Sequence, residues 1–127
     1  MAETGQRVNA IPATGVLADA DGGECTPKFA TFSTSTATTN VPVVALVAGK
    51  KIRVLAARIN ADGDTDAHFR SASTAISGLA YLPASGAGCG WSYCPLGRFE
   101  TAVGEALNVY QSAAIAISGE VTYVEVD

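Results

Sequence analysis

The stretch VAGKKIRVLAARINADGDTDAHFR, residues 47–70, limits the fold more than any other part of the chain. Apolar residues fall at both odd and even positions of Lys51–Asn60, and a cluster of Asp and Gly follows at Ala61–Asp66. Side chains alternate between faces along a strand. Arg53, Leu55, Ala57 and Ile59 therefore point one way, and Ile52, Val54, Ala56 and Arg58 the other. Asp and Gly accept positive φ and hydrogen-bond their own backbone, which makes Ala61–Asp66 a turn, with Ala67–Ser73 beginning the next extended piece. The segment reads as a β-hairpin that is largely apolar on both faces.

The flanking sequence follows the same pattern. Val41–Val47 is a continuous apolar, β-branched run with Pro42 near its start, followed by a turn at Ala48–Lys51. Lys28–Ser33 alternates, Leu107 and Val109 alternate, and Glu120–Val126 forms a closing strand after a two-residue turn at Ser118–Gly119. Tyr81–Gly97 is rich in Gly, Ala and Ser and predicts a long loop with a short strand around Trp91–Tyr93. Arg7–Pro12 and Thr14–Asp19 read as short edge strands or an arm, and Ser33–Asn40 as strand or linker, with strand-loop-strand favoured over disorder.

No segment sustains a 3.6-residue period with caps, whereas strands recur at intervals of roughly 8–12 residues. The expected fold is all-β, a jelly-roll-like antiparallel β-sandwich. At 127 residues it forms one domain, with an arm and first strands over residues 1–40 and the sandwich body over 41–127.

Composition removes several functional classes. Hydrophobic residues make up 48% and charged residues 16%, which argues against disorder, and no apolar run is long enough for a membrane span. The net charge is −4 and the eight basic residues are scattered, so no stripe exists to neutralise nucleic-acid phosphates. The N-terminal MAETGQRVNAIPATG has neither a basic nor an apolar signal region, and the expectation is synthesis and assembly in a cytoplasm.

Catalysis and metal binding find little support. His68 is the single histidine and no Ser stands in a G-x-S-x-G setting, so no triad can be assembled and no enzyme is expected. Asp62, Asp64 and Asp66 alternate, yet the Gly and Glu positions of a calcium loop are missing, and a solvated turn is favoured. Cys25, Cys89, Cys94 and His68 include zinc-ligand types without a second short-spaced pair. A Cys89–Cys94 bridge stays open, with reduced thiols favoured in a cytoplasm. No cofactor is expected.

The doubly apolar strands point towards contact. In the last strand Val121 and Tyr123 share one face, and Thr122, Val124 and Val126 the other. A solitary sandwich normally wets one face of each sheet, so something covers the second: an arm of the same chain or, as favoured, a neighbouring subunit. Candidate interface residues are Ile52, Val54, Tyr123 and Val124 on these strands, with Trp91, Tyr93, Arg98 and Phe99 around the Gly-rich stretch. Aromatic anchors are enriched at interfaces, but the same rings equally suit a plug at one end of the core.

VAGKKIRVLAARINADGD, followed by GRFETAVGEALNVYQSAAIAISGEVTYVEV, resembles a pattern in small virion proteins of tailed bacteriophages, the capsid decoration or cement proteins. The likeness covers residues 41–126 and rests on the AGKKI turn, F-x-T-A-x-G-E-A-L at Phe99–Leu107 and G-x-V-T-Y-V-E-V at Gly119–Val126. The resemblance implies a jelly roll that self-associates, often as a homotrimer, and binds the major capsid (coat) protein on the virion exterior across subunit joints. A tail or head-fibre base module is the alternative within a virion. A carbohydrate- or receptor-binding jelly roll ranks lower, because aromatics are only 7% of the chain and supply few stacking platforms.

Overall fold

The computed structural model describes Leu17–Ala18 and residues 24–127. Its strands are β1 (Leu17–Ala18), β2 (Glu24–Cys25), β3 (Lys28–Thr34), β4 (Val41–Val44), β5 (Lys51–Asp62) and β6 (Thr65–Ser71). They continue with β7 (Thr74–Ala75), β8 (Ala80–Leu82), β9 (Ser85–Trp91), β10 (Phe99–Glu100), β11 (Leu107–Gln111) and β12 (Ile117–Val126). Among the described residues there is no helix.

Two antiparallel sheets face each other. The first runs β3-β12-β5, with β9 and β10 sharing the far edge of β5; the second runs β4-β11-β6, with β7 and β8 sharing the far edge of β6. Let β3, β4, β5, β6, β8, β9, β11 and β12 be the first to eighth long strands. One sheet then reads first-eighth-third-sixth and the other second-seventh-fourth-fifth. This interleaving of two Greek keys is jelly-roll order. The small two-stranded sheet β1-β2 is not hydrogen-bonded to either, although Cys25 of β2 packs against the first.

The core forms where the inner faces meet. Phe69 on β6 sits at its centre, edge-on to Phe32 at 5.9 Å and Trp91 at 5.6 Å and stacked on Phe99 at 5.4 Å. Ile52, Val54, Ile59, Val121 and Tyr123 approach from the first sheet, and Leu82, Leu107 and Val109 from the second. Each such side chain contributes about 1.5–3 kcal/mol of burial free energy.

An irregularity in β5 explains its two apolar faces. Thr122 pairs with Ala56 but Tyr123 with Val54, so Leu55 is the extra residue of a β-bulge. The bulge resets the alternation. Ile52 and Val54 before it and Ala57, Ile59 and Ala61 after it all face the main core. Leu55 turns outward and joins Val124, Val126 and Cys25 in a second buried cluster. The uninterrupted alternation read from the sequence, which put Leu55 with Ala57 and Ile59, is corrected by this one residue.

Other expectations change for local reasons. The acidic turn shrinks to Gly63–Asp64, with the strands extending to Asp62 and from Thr65. Ser118–Gly119 is not a turn but part of β12, which runs unbroken from Ile117. Gly119 lies opposite Phe32 and Ile59, and a Cβ there would stand 1.9 Å from the Arg58 carbonyl oxygen and 2.6 Å from Phe32 Cζ. The glycine lets the Phe32 ring lie across the backbone.

Most of Tyr81–Gly97 is strand rather than loop. In β9, Ala87, Cys89 and Trp91 pack on the core, while Gly88 and Gly90 alternate on the outside. Small residues concealed a period-two pattern. β4 ends at Val44, short of the expected Val47, and a Val47–Lys50 turn with Gly49 at φ 76° follows. The pairing of β3 with β12 over Lys28–Thr34 places those residues within the sandwich, ahead of the expected start at residue 41. Arg7–Pro12 lies outside the described residues, and of Thr14–Asp19 only Leu17–Ala18 is described.

Buried polar side chains tie the loops at both ends. Gln111 accepts from the Thr65 hydroxyl at 3.0 Å and donates to the carbonyls of Thr36 at 3.3 Å and Ile115 at 2.8 Å. At the other end, the F-x-T-A-x-G-E-A-L segment crosses from β10 to β11. Its Thr101 hydroxyl accepts from the Ile52 backbone N–H at 2.9 Å. Its Glu105 carboxylate accepts from the Ser71 hydroxyl at 2.6 Å, and that hydroxyl accepts from the Ala102 N–H at 2.9 Å. The motif stitches one sheet to the other.

Candidate functional surface

The eight predicted interface residues separate into interior and surface groups. Ile52 and Val54 are 1% and 0% exposed in the main core, which Tyr123 also joins, and Val124 is buried in the second cluster. Within this single chain they offer no surface to a partner. Trp91 and Phe99 lie partly buried against the core, edge to face at 5.8 Å, in the plug arrangement. Tyr93 and Arg98 alone of the eight are exposed.

Cover for the second apolar face comes from the chain itself. Cys25 of β2 packs with Leu55, Val124 and Val126, and β1 pairs with β2. Of the two covers weighed from sequence, this cluster shows the same-chain arm.

Tyr93 and Arg98 belong to the loop of residues 92–98, which the bulge positions. The Cys94 N–H donates to the Leu55 carbonyl at 2.9 Å, the Arg98 N–H to the Val54 carbonyl at 2.7 Å, and the Gly97 N–H to Cys94 at 3.0 Å. Gly97 has φ 96°, and a Cβ there would stand 2.7 Å from Arg53 Cγ. Arg98 Nε donates to the Ser92 carbonyl at 2.7 Å, which holds the guanidinium over the loop. Leu96, 59% exposed, projects from the same loop.

Further apolar side chains surround the same half of β5. Leu46 and Val47 precede Lys50, whose carbonyl accepts from the Gly104 N–H at 2.8 Å, bringing the Val103 loop beside them. Phe29 is 78% exposed on edge strand β3 opposite Thr122, which itself pairs with Ala56. Of the eight large hydrophobic residues exposed among the described ones, Phe29, Leu46, Val47, Tyr93, Leu96 and Val103 attach to the chain around Lys50–Ala56. Sequence reasoning missed all of these except Tyr93. The available signal was apolar residues beside Gly49 and Gly104, the positive-φ turns at which a chain doubles back.

Charge is interleaved with these apolar groups. Glu100 accepts from Arg53 Nε at 2.7 Å and Lys51 Nζ at 3.3 Å. Burial pushes the Glu100 carboxyl up, but the hydrogen bonds and charges of Arg53 and then Lys51 outweigh it and hold it below the usual carboxylate range. Lys28 pairs with Glu125 at 3.2 Å, and Lys50 pairs with Asp127.

His68 lies on the outer face of β6, where its Nε2 accepts from Arg70 Nε at 3.0 Å, and the Arg70 guanidinium sits 3.6 Å over the Tyr110 ring. Burial, and then the Arg70 charge, hold the imidazole below its ordinary pKa. Its basic lone pair is engaged. Asp62 accepts from the Ser85 hydroxyl at 2.8 Å, and Cys89 and Cys94 are unbridged thiols. Among the described residues no group of three or more His, Cys, Asp or Glu side chains is placed to hold a metal ion, and no helix is long and apolar enough to cross a membrane.

Fold and surface together define a jelly-roll β-sandwich whose buried polar groups tie loops together and, among the described residues, six of whose eight exposed large apolar side chains lie on segments joined to the first half of β5 or to the strands beside it. No family model matches this chain, and neither the curated proteins nor the solved structures provide a match.

Proposed function

We propose that this protein is a structural virion component, a capsid decoration or cement protein. In this reading it binds the coat protein on the outer surface of a tailed-phage head and spans coat-subunit junctions. The observation that carries the reading is the gathering of Phe29, Leu46, Val47, Tyr93, Leu96 and Val103 around the start of β5, with Arg98 among them. Exposed apolar groups interleaved with charge are the composition of a docking surface, with aromatic and Arg side chains as anchors. The resemblance to cement proteins suggests the partner, and four of the six exposed residues lie within or between the stretches that carry it, Val47 and Val103 within and Tyr93 and Leu96 between.

The mechanism is mechanical. A rigid sandwich laid across a seam adds buried area that must be broken before coat subunits separate. Many copies, each of modest affinity, act together because every neighbour held in place raises the effective concentration of the rest. Self-association as a homotrimer belongs to the same proposal and is supported by the resemblance.

The test is co-sedimentation of the purified protein with empty phage heads, beside a Leu96→Glu variant. The expected result is saturable binding by the wild type and loss of binding by the variant, whose substitution lies at an exposed loop position and leaves the fold intact. Absence of saturable binding overturns the proposal. Equal binding by the variant overturns the surface assigned to it.

A further inference from the structure

The outer face of the second sheet carries a polar cluster that the proposed coat docking does not use. Pairing sets His68 of β6 opposite Tyr110 of β11, and Arg70 opposite Asn108. Arg70 is the hub of the cluster. Its Nε donates to His68 Nε2 at 3.0 Å, its Nη1 donates to Asn40 Oδ1 at 3.2 Å, and its guanidinium lies 3.6 Å over the Tyr110 ring. Asn40 Nδ2 in turn donates to the Ser73 hydroxyl at 3.1 Å. One side chain thus joins β6, β11 and the segment that enters β4, and through Asn40 the turn that enters β7.

This arrangement admits only one protonation state of His68. A guanidinium has donors and no acceptor, so the contact needs a lone pair on Nε2 and puts the imidazole proton on Nδ1. The ring is 8% exposed, and its Nδ1 is buried without a hydrogen-bond partner. A second proton has to go on Nε2, where it would point at the Arg70 Nε–H and set two cations in contact. An imidazolium at His68 and Arg70 in its present place exclude one another.

The ionisable groups on this face are few. On β6 itself they are Asp66 and Arg70, two residues to either side of His68 and on the same face. β11 adds Tyr110 opposite His68, and β8 adds Tyr81 opposite Asp66. Residues 35–44 and 72–80, which supply β4, β7 and the connections around them, contain no ionisable side chain. Arg70 is therefore the one cation of this set, and once it has left, Asp66 is the charge that remains to face an imidazolium.

We infer that His68 and Arg70 form a pH-operated latch on the outer face of the second sheet. With His68 neutral, Arg70 is held across the face and covers Tyr110. When His68 takes up a proton, Arg70 swings to solvent, Asn40 loses its partner and the Tyr110 ring is uncovered. The core beneath, built from Phe69 and Val109 on the inner faces of the same strands, stays packed. Burial, and then the Arg70 charge, lower the pKa of His68, so the latch opens below the ordinary histidine value. The unfolded chain takes up this proton first as the pH falls. Stability from this group is therefore complete above the ordinary value and declines down to the lowered one. Acid thus changes the charge and aromatic character of one face while the sandwich remains.

The experiment is an NMR titration of the whole wild-type protein from about pH 8 to about pH 4, beside His68→Gln, whose side-chain oxygen accepts from Arg70 without titrating. The expected result is a single transition below the ordinary histidine value, seen together in the His68 imidazole, the Arg70 Nε–H and the Tyr110 ring. Exchange of the Arg70 Nε–H with water should become at least about tenfold faster across it, through loss of a charge-assisted hydrogen bond. Intrinsic guanidinium exchange is base-catalysed and slows in acid, so acceleration reports release of the bond. In His68→Gln the Arg70 and Tyr110 signals should show no such transition. The latch is overturned if His68 titrates while Arg70 and Tyr110 stay unmoved, or if it titrates at or above the ordinary value, or only as the whole chain unfolds. These three outcomes are read from the wild type alone. Persistence of the Arg70 and Tyr110 transition in His68→Gln would overturn it as well.

Discussion

At the scale of the residue, two positions show how little freedom the fold leaves. Gly119 sits where any side chain would meet the Arg58 carbonyl and the Phe32 ring. Gly119→Ala should therefore destabilise the protein by about 1–3 kcal/mol, because backbone or ring must shift to admit the methyl group. Urea denaturation reads this directly, and an unchanged midpoint would mean that Phe32 does not cover the glycine. The carboxyl of Glu100 is held below its ordinary pKa in the fold. The unfolded chain consequently takes up a proton first as the pH falls. The stabilisation is complete above the ordinary carboxylate value and is lost as the pH drops through the lowered folded-state value. Wild type should lose more stability than Glu100→Gln over that acid range. The difference should be small and should shrink with salt, since the carboxylate is about one-third exposed.

At the scale of the element, the Leu55 bulge organises the most structure. One extra residue puts Leu55 outside with Val124, Val126 and Cys25, and its carbonyl and that of Val54 anchor the loop of residues 92–98. Leu55→Ala should cost about 2–5 kcal/mol through lost burial and the cavity left behind. It should also raise proteolytic cleavage next to the β1–β2 hairpin, measured by limited proteolysis and mass spectrometry. Gln111 has a comparable role at the opposite end, where three hydrogen bonds join β6, β11 and two loops. Gln111→Leu preserves approximate size but leaves the Thr65 hydroxyl and two carbonyls without their partner. A loss of about 1–3 kcal/mol is expected by thermal or chemical denaturation.

At the scale of the whole molecule, the jelly-roll order forces long-range pairing: β3 meets β12, and β4 meets β11. Because Cys25 covers Leu55, Val124 and Val126, the proposed self-association draws on the exposed groups around β5 rather than on that part of the sheet face. A homotrimer predicts a native mass three times that of the chain by light scattering, stable on dilution and unaffected by reductant or chelator. Leu96→Glu or Tyr93→Ala should shift that mass downward if these side chains form the trimer contact. A mass that stays at one chain at every concentration would remove the trimer from the proposal and leave coat binding to be judged by sedimentation.

How much of this was legible in the sequence depended on the range of the interaction responsible. The all-β class, the hairpin around Asp62–Thr65, β3, β11 and the body of β12 follow from period-two patterning and turn residues, which act between near neighbours. The exposed apolar patch was legible only at Tyr93 and the adjoining Arg98, while Phe29, Leu46, Val47, Leu96 and Val103 resemble core residues in a linear reading. Strand β9 was hidden because its outward positions are Gly, and a residue without a side chain carries no polarity signal. Ser118–Gly119 looked like a turn because Gly signals one locally, whereas here Gly119 answers to Phe32, 87 positions away in the chain. The sequence alone therefore determined that the chain is built from extended stretches, with the longest of them placed, and that they bury one large core. Only the tertiary structure decided where β5 slips by one residue and which apolar groups stay outside. A bulge and an exposed patch are each set by which strand lies beside which, and no local pattern carries that information.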